Sequence, residues 1–269
     1  MCKIISCICL FAILMCATAS CAVSEDDIKQ AFTLYTPSKN VVLVVDDEVL
    51  YFSDHMLELG TLTEDSEPNL GYVILNQKVY FSTVRSNGLF DFSLLIYECD
   101  LYGNGLKLLY QEDGFQKHPW AKGEGSKIYC QCDNTIASYD VLTGIYAEET
   151  DGQIQSLSDV ERIVDQKYSV SQDGDILAIV NKETSVSATI DLTDLKEDEL
   201  FQVLQNMSFK YQRVDISNQR ILLTFRIDSG NQSLFPILTV EFDFDTQEIR
   251  FASLHFVYDY ENIDVRYVE

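Results

Sequence analysis

From Asn40 onward the chain alternates between short apolar runs and tight polar breaks, and this pattern predicts strands. The clearest stretch runs from Gly71 to Asp113, as GYVILNQKVYF and, after a polar break, LLIYECDLYGNGLKLLYQED. Asn76-Gln77 separates one pair of apolar runs, and Gly103-Asn104-Gly105 separates another. Asparagine and glycine accept the left-handed backbone that hairpin turns require. We therefore expect four short strands that pair into one antiparallel sheet.

Both hairpins of this stretch recur along the chain. Weaker copies of the first hairpin centre on these turn positions: Asp47, Asn76, Gly125, Asp173 and Asn218. The second hairpin recurs with an aspartate after each third strand: Asp100, Asp140, Asp191 and Asp243, with Gly60 in the first copy. A repeat of about 40–50 residues containing four strands is typical of β-propeller blades. An all-β sandwich or barrel with ordinary strand spacing is the alternative.

The first copy is shorter than the others, because Val41 to Asp65 has room for only three strands. The C-terminal stretch Ile263–Val268 alternates apolar and polar residues and can supply the missing outer strand. Such a closure would remove an open sheet edge. We therefore predict an all-β fold, a β-propeller of about five four-stranded blades over residues 40–269. A six-bladed or incomplete ring stays open.

The segment LLIYECDLYGNGLKLLYQED, from Leu94 to Asp113, resembles the inner-to-outer hairpin of TolB-like propellers and of YWTD propellers of the low-density-lipoprotein-receptor type. The YWTD tetrapeptide itself is absent, since VYFS at Val79–Ser82 and IYCQ at Ile128–Gln131 stand in its place. The resemblance implies a propeller used for binding or scaffolding, as in bacterial secreted lipoproteins. It brings no catalytic residue to this chain.

The N-terminus is predicted to be an export signal followed by a tether. Residues 1–20 combine Lys3, an apolar run and small residues, which is the pattern of a signal peptide. Thr18-Ala19-Ser20-Cys21 resembles a bacterial lipobox, so Cys21 is the expected lipidation site. Plain secretion and an uncleaved anchor are the alternatives. Residues 21–39 form the tether, in which Ser24–Tyr35 has the periodicity of a short amphipathic helix, packed on the fold or docking a partner.

The charge of the chain restricts the classes of partner that it can bind, and the cysteine content bears on disulfide formation. The chain has 43 Asp and Glu against 19 Lys and Arg, a formal net charge of −24. This balance disfavours nucleic acid, and it disfavours anionic membranes except through the predicted lipid anchor. Outside the signal region only Cys99, Cys130 and Cys132 remain. We expect buried free thiols, with a bridge from Cys99 as the alternative.

No nucleotide loop, hydrolase elbow or metal-binding motif occurs, so neither a cofactor nor a metal site is predicted. His118 and Trp120 are candidate ligand-binding residues, because a Trp in a loop offers an apolar face with a polar edge. The repeated aspartates are expected to bond turn amides. The predicted function is an exported, lipid-anchored, non-catalytic binding or scaffold module for a protein, peptide or glycan at the cell surface. A carbohydrate hydrolase and a structural subunit of an envelope assembly are the alternatives.

Overall fold

The computed structural model describes residues 37–63, 67–132, 134–150, 152, 154–164, 168–182, 184–191, 193, 208–217, 220–228, 235–243, 246, 248–257 and 263–268. The predicted signal peptide, Cys21 and the predicted helix Ser24–Tyr35 lie outside these residues. So do the turn at Asn218 and the segment 194–205, whose sequence fits either a helix or an outer strand.

The described part of the chain is all-β, as predicted, with nineteen strands and little helix. The strands are β1 Val41–Val45, β2 Val49–Tyr51, β3 Met56–Glu58, β4 Glu67–Leu75, β5 Lys78–Gly88, β6 Asp91–Asp100, β7 Lys107–Phe115, β8 Trp120–Glu124, β9 Lys127–Cys132, β10 Thr135–Asp140, β11 Ile145–Glu148, β12 Tyr168–Asp173, β13 Ile176–Asn181, β14 Ser187–Asp191, β15 Ser208–Ser217, β16 Arg220–Asp228, β17 Phe235–Asp243, β18 Ile249–Val257 and β19 Ile263–Tyr267. A 3-10 helix, Leu59–Thr61, follows β3, and one α-helix, α1, spans Leu157–Val164.

These strands form five antiparallel sheets that follow one another along the chain. The first sheet has the order β19-β1-β2-β3, the second β4 to β7, the third β8 to β11, the fourth β12 to β14, and the fifth β15 to β18. The second sheet is the four-stranded sheet predicted for Gly71 to Asp113. The fourth sheet shows three strands among the described residues.

The predicted turn positions that fall on described residues are turns. Asn76 and Gln77 have φ of 54° and 60° and join β4 to β5. Gly125 has φ of 59° and lies between β8 and β9, and the β12–β13 turn follows Asp173 directly. Because a two-residue hairpin needs left-handed backbone, the identity of these residues decides where each hairpin turns.

The first sheet is buried on both faces. All five residues of β1, VVLVV, are buried, which explains why this strand is a continuous apolar run. Val42 and Val44 pack with Tyr72 and Phe81 of the second sheet. Residues on the opposite face pack with the fifth sheet, through Leu43 with Ile237 and Val41 with Leu222. The first sheet therefore lies between the second and the fifth.

The C-terminal strand completes the first sheet, as predicted. All five residues of β19 pair with β1, from Val41↔Tyr267 to Val45↔Ile263. The prediction that this strand lies on the outer side of the sheet is wrong. The Tyr72 hydroxyl of β4 donates to Asp264, and Arg266 reaches Glu124 of β8, so β19 lies beside the first strands of the next two sheets.

Two glycines allow β4 and β8 to approach each other closely. A Cβ at Gly123 would overlap the carbonyl oxygen of Tyr72, and a Cβ at Gly71 would lie 2.8 Å from the Ala121 Cβ. Only glycine leaves room for backbones at this separation. The second and third sheets therefore pack backbone against backbone at this crossing, and their apolar side chains meet farther along the same interface.

Helix α1 was not predicted, although its start carries a capping signal. The Asp159 carboxylate accepts from the amides of Gln155 and Ser156 and from the Ser156 hydroxyl. This is the pattern of a capped helix N-terminus. Val160 then packs on Tyr129 and Ile136, so the helix covers the face of the third sheet that points away from the second.

Candidate functional site

The two predicted ligand residues, His118 and Trp120, lie side by side where β7 ends and β8 begins. The ring centroids of His118 and Trp120 are 4.8 Å apart, and Phe92 meets His118 edge-on at 5.7 Å. Phe92 in turn pairs across the sheet with Phe115. Trp120 is 60% exposed, so the ring stack holds it from one side and leaves much of the indole open to solvent.

The turn between β5 and β6 adds two apolar residues that sequence analysis missed. Leu89 and Phe90 are 88% and 71% exposed and form the two-residue tip between Gly88 and Asp91. The tip belongs to the same end of the sheet as Phe92, which lies two residues after Phe90. We call Leu89, Phe90, Phe92, His118 and Trp120 the apolar end. Asn87-Gly88 directly before the tip signals a turn, but it does not indicate that Leu89 and Phe90 occupy its centre.

Phe90 has a backbone conformation that is unfavourable for its residue type. Its φ is 61°, in the left-handed region that Gly and Asn populate far more readily than residues with a bulky side chain. Such a conformation costs on the order of 1 kcal/mol or more and persists where surrounding structure imposes it. A large exposed apolar side chain is therefore held at a position where glycine would be conformationally easier.

Charged residues of both signs lie near the apolar end. Arg85, Lys117 and Lys122 are close to it in sequence, as are Asp91, Glu112 and Asp113, and Glu67 pairs with Val84 beside Arg85. The Asp113 carboxylate accepts bonds from Ser93 at 2.5 Å and from Gln111 at 2.8 Å. These bonds, with a smaller contribution from the Arg85 charge, lower the pKa of Asp113.

His55 is bonded on both ring nitrogens. Nδ1 lies 2.6 Å from Asp54, Nε2 lies 2.8 Å from the Leu101 carbonyl oxygen, and the ring stacks between Phe52 and Tyr102. Since both neighbours are acceptors, His55 has no free nitrogen to act as a base in this geometry. The residue joins the first sheet to the β6–β7 turn of the second.

His255 is half-buried, and its Nε2 atom is buried without a hydrogen bond. Its ring lies 5.5 Å from that of Tyr51, between the fifth sheet and the first. Burial lowers the pKa of His255 to about 4. No cationic or catalytic role at neutral pH follows from this environment, because the ring stays neutral there.

A polar cluster lies where β19, β4 and β8 meet. Arg266 contacts Asp264 at 2.8 Å and Glu124 at 3.4 Å, and the Tyr72 hydroxyl donates to Asp264 at 3.1 Å. Burial, and next the Asp264 charge, raise the pKa of Tyr72 well above its usual value. Both carboxylates share one guanidinium, so the cluster fastens the C-terminal strand to the sheets beside it.

The repeated aspartates bond turn amides, as predicted. Asp100 accepts from the amides of Tyr102 and Asn104, and Asp140 from those of Leu142 and Thr143. Asp191 and Asp243 each accept from one amide, of Thr193 and Thr246. These side chains satisfy backbone donors where the third strand of each sheet ends.

The three described cysteines are free and buried, which confirms the expected thiols. Burial raises the pKa of Cys99 to about 12 and that of Cys130 well above its usual value. A thiol that stays protonated at neutral pH is a poor nucleophile and a poor metal ligand. Among the described residues no group of three or more His, Cys, Asp or Glu side chains could hold a metal ion. No helix in this part of the chain is long and apolar enough to cross a membrane.

Comparisons with known proteins give no family. No protein-family model matches the sequence, and no curated protein matches it. Among solved structures the chain is similar to the tricorn protease, at 14% identity over 67% of this chain and 16% of that one, with a TM-score of 0.24. It is also similar to the AfRom2 CNH domain (11% identity, 82% and 68% covered, TM-score 0.22) and to Kluyvelomyces marxianus Hsv2 (8%, 66% and 62%, TM-score 0.23). Overlaps this small define neither a family nor an activity for the chain.

Proposed function

We propose that the chain is an exported β-propeller of about five blades that acts as a non-catalytic binding or scaffold module at the cell surface. Five successive antiparallel sheets support the ring, as does the completion of the first sheet by the C-terminal strand. The fifth, first, second and third sheets also pack in that order, face against face. The lipobox-like sequence ending at Cys21 supports export and lipid attachment.

The observation that carries a binding function is the apolar end. Leu89, Phe90 and Trp120 are three large apolar side chains that stay exposed at one end of the second and third sheets. A contiguous exposed apolar patch with a polar rim is typical of an interaction surface. Among the described residues no specific observation favours the hydrolase alternative.

The proposal is tested by site-specific photo-cross-linking from position 89 in the lipidated chain, expressed in its own host. Position 142 is the matched control, since Leu142 is also exposed, at 62%, but lies in the β10–β11 turn. We expect position 89 to give cross-links to envelope components and position 142 to give far fewer. Equal cross-linking from the two positions would show that the apolar end is not a preferred binding surface.

A further inference from the structure

We propose that the occupant of the apolar end is a lipid bilayer surface, into whose interfacial region Leu89 and Phe90 insert. This inference rests on the proposed binding function and names the partner of the same surface. Three observations carry it: the shape of the β5–β6 tip, the backbone of Phe90 and the exposed ring of Trp120. The lipid anchor predicted at Cys21 is consistent with them.

The β5–β6 tip is convex. Pairing of β5 with β6 continues to Gly88↔Asp91. Pairing of β6 with β7 ends earlier, at Phe92↔Phe115, so Leu89 and Phe90 extend past the end of β7. Small ligands and peptides bind in concave sites that enclose them. A projecting apolar tip instead suits a soft medium that closes around it.

The conformation of Phe90 favours a role outside folding. A glycine would satisfy the φ of 61° with less strain, so the phenyl ring is kept there against local backbone preference. Strain of this kind concentrates at functional positions. Insertion of the ring into lipid gives it an apolar environment that the folded chain itself does not provide.

The residues around the tip match a bilayer interface. Trp120, 60% exposed, has an apolar ring with one polar edge, and such rings favour the headgroup level. Lys117 is exposed and has a long side chain that can extend toward headgroup phosphates. The net charge of −24 disfavours binding to strongly anionic surfaces, so the expected partner is a zwitterionic bilayer.

The expected lipid at Cys21 makes weak insertion sufficient. A lipid at Cys21 would attach the chain to the membrane and so hold the fold at high effective concentration near the bilayer. A single exposed tip then needs only modest affinity to orient the fold on the bilayer.

The test uses the mature chain, residues 21–269, carrying Cys21→Ser, which removes the lipidation site, and vesicles of phosphatidylcholine. Trp120 is the only tryptophan, so its fluorescence reports directly on the apolar end. We expect vesicles to shift its emission to shorter wavelength, and the double variant Leu89→Ser with Phe90→Ser to lower partitioning about tenfold or more. The control double variant is Leu142→Ser with Ile145→Ser, which removes comparably exposed apolar residues and should bind like the parent.

A second variant separates binding from folding. Phe90→Gly is expected to keep or raise thermal stability, because glycine relieves the positive φ, and still to lower partitioning. A parent chain whose Trp120 emission does not respond to vesicles overturns the inference, as does equal loss of binding in the control. If cross-linking from position 89 then yields only protein or glycan, the binding function stands and the bilayer is excluded as its partner.

Discussion

The first and second sheets both have four antiparallel strands, but they are assembled from different parts of the chain. The second sheet uses β4 to β7 in order, with strands of nine to eleven residues and short hairpin turns. The first sheet has strands of three to five residues and takes its edge strand from the far end of the chain. One sheet is thus specified locally, whereas the other exists only when the chain is complete.

The same contrast extends to what holds each sheet. The second sheet is fixed by turn residues and bulges within 50 residues of sequence, from Glu67 to Phe115. The first sheet depends on apolar contacts with two other sheets and on the Arg266 cluster, whose ion pair with Glu124 spans 142 residues. Such contacts form only after a long stretch of chain has closed into a loop. Disruption of the first sheet should therefore destabilise the whole fold more than disruption of the second sheet.

Deletion of residues 263–269 should have the largest effect. The loss of β19 exposes the edge of β1 and removes Ile263 and Val265, which are 4% and 0% exposed. Each buried side chain of this size contributes about 1.5–3 kcal/mol, and the lost pairing adds to that. We expect no cooperative unfolding transition by circular dichroism. A truncated chain that melts at the parent temperature would show that the first sheet does not need the chain end.

Gly123→Ala should have the second-largest effect. It tests the packing of the second sheet on the third, on the side away from the first sheet. The added Cβ would overlap the Tyr72 carbonyl oxygen, so one of the two backbones would have to shift. We expect a loss of about 3 kcal/mol or more in the free energy of unfolding, measured by urea titration. Gly60→Ala is the control, because its Cβ meets only the flexible Glu48 carboxylate. Equal losses in the two variants would contradict a tight β4–β8 crossing.

Arg266→Met should cost less, at about 2 kcal/mol, because it leaves Asp264, Glu124 and Tyr72 without their shared cation. The matched control is Arg250→Met. Arg250 also pairs with a carboxylate, Glu248 at 2.7 Å, but both side chains are 58% exposed. Exposed pairs of this kind contribute about 0–1 kcal/mol. A control loss as large as that of Arg266→Met would remove the special role of the cluster at β19.

The features that could be predicted from the sequence are those with a local physical cause. Asn76 and Gly125 set hairpin turns through their own backbone freedom, and Asp100 and Asp140 bond amides only a few residues away. The pairing of Ile263–Tyr267 with the first sheet could also be predicted, because a three-stranded first repeat leaves an open edge.

The features that could not be predicted depend on distant contacts or on unfavourable local structure. The side of the first sheet that β19 occupies is set by Tyr72 and Glu124, which no local pattern links to Arg266. Asn87-Gly88 signals a turn near Leu89 and Phe90, but only the register of β5 with β6 places these two apolar residues at its centre. His118 and Trp120 could be selected as candidates from their residue types. Their stacking with Phe92 could be found only from the structure, because Phe92 lies on a different strand.

His255 allows the smallest expected effect to be measured at the seam between the fifth and first sheets. Its folded pKa, about 4, lies below the ordinary value of 6.5, so the unfolded chain binds the proton first as the pH falls. The stabilisation that comes from the neutral His255 ring is therefore fully present above about pH 6.5. It is lost as the pH falls toward 4, and the free energy of unfolding is lower by about 1 kcal/mol at pH 5.5. Asp54, Asp100 and Asp113 have lowered pKa values, below 3.8, and do not titrate in this window.

We expect His255→Phe to remove about 1 kcal/mol of the difference in unfolding free energy between pH 7.5 and pH 5.5, as measured by urea titration. If the variant keeps the full pH dependence of the parent, the seam is not the acid-sensitive element and the loss must come from other titratable groups.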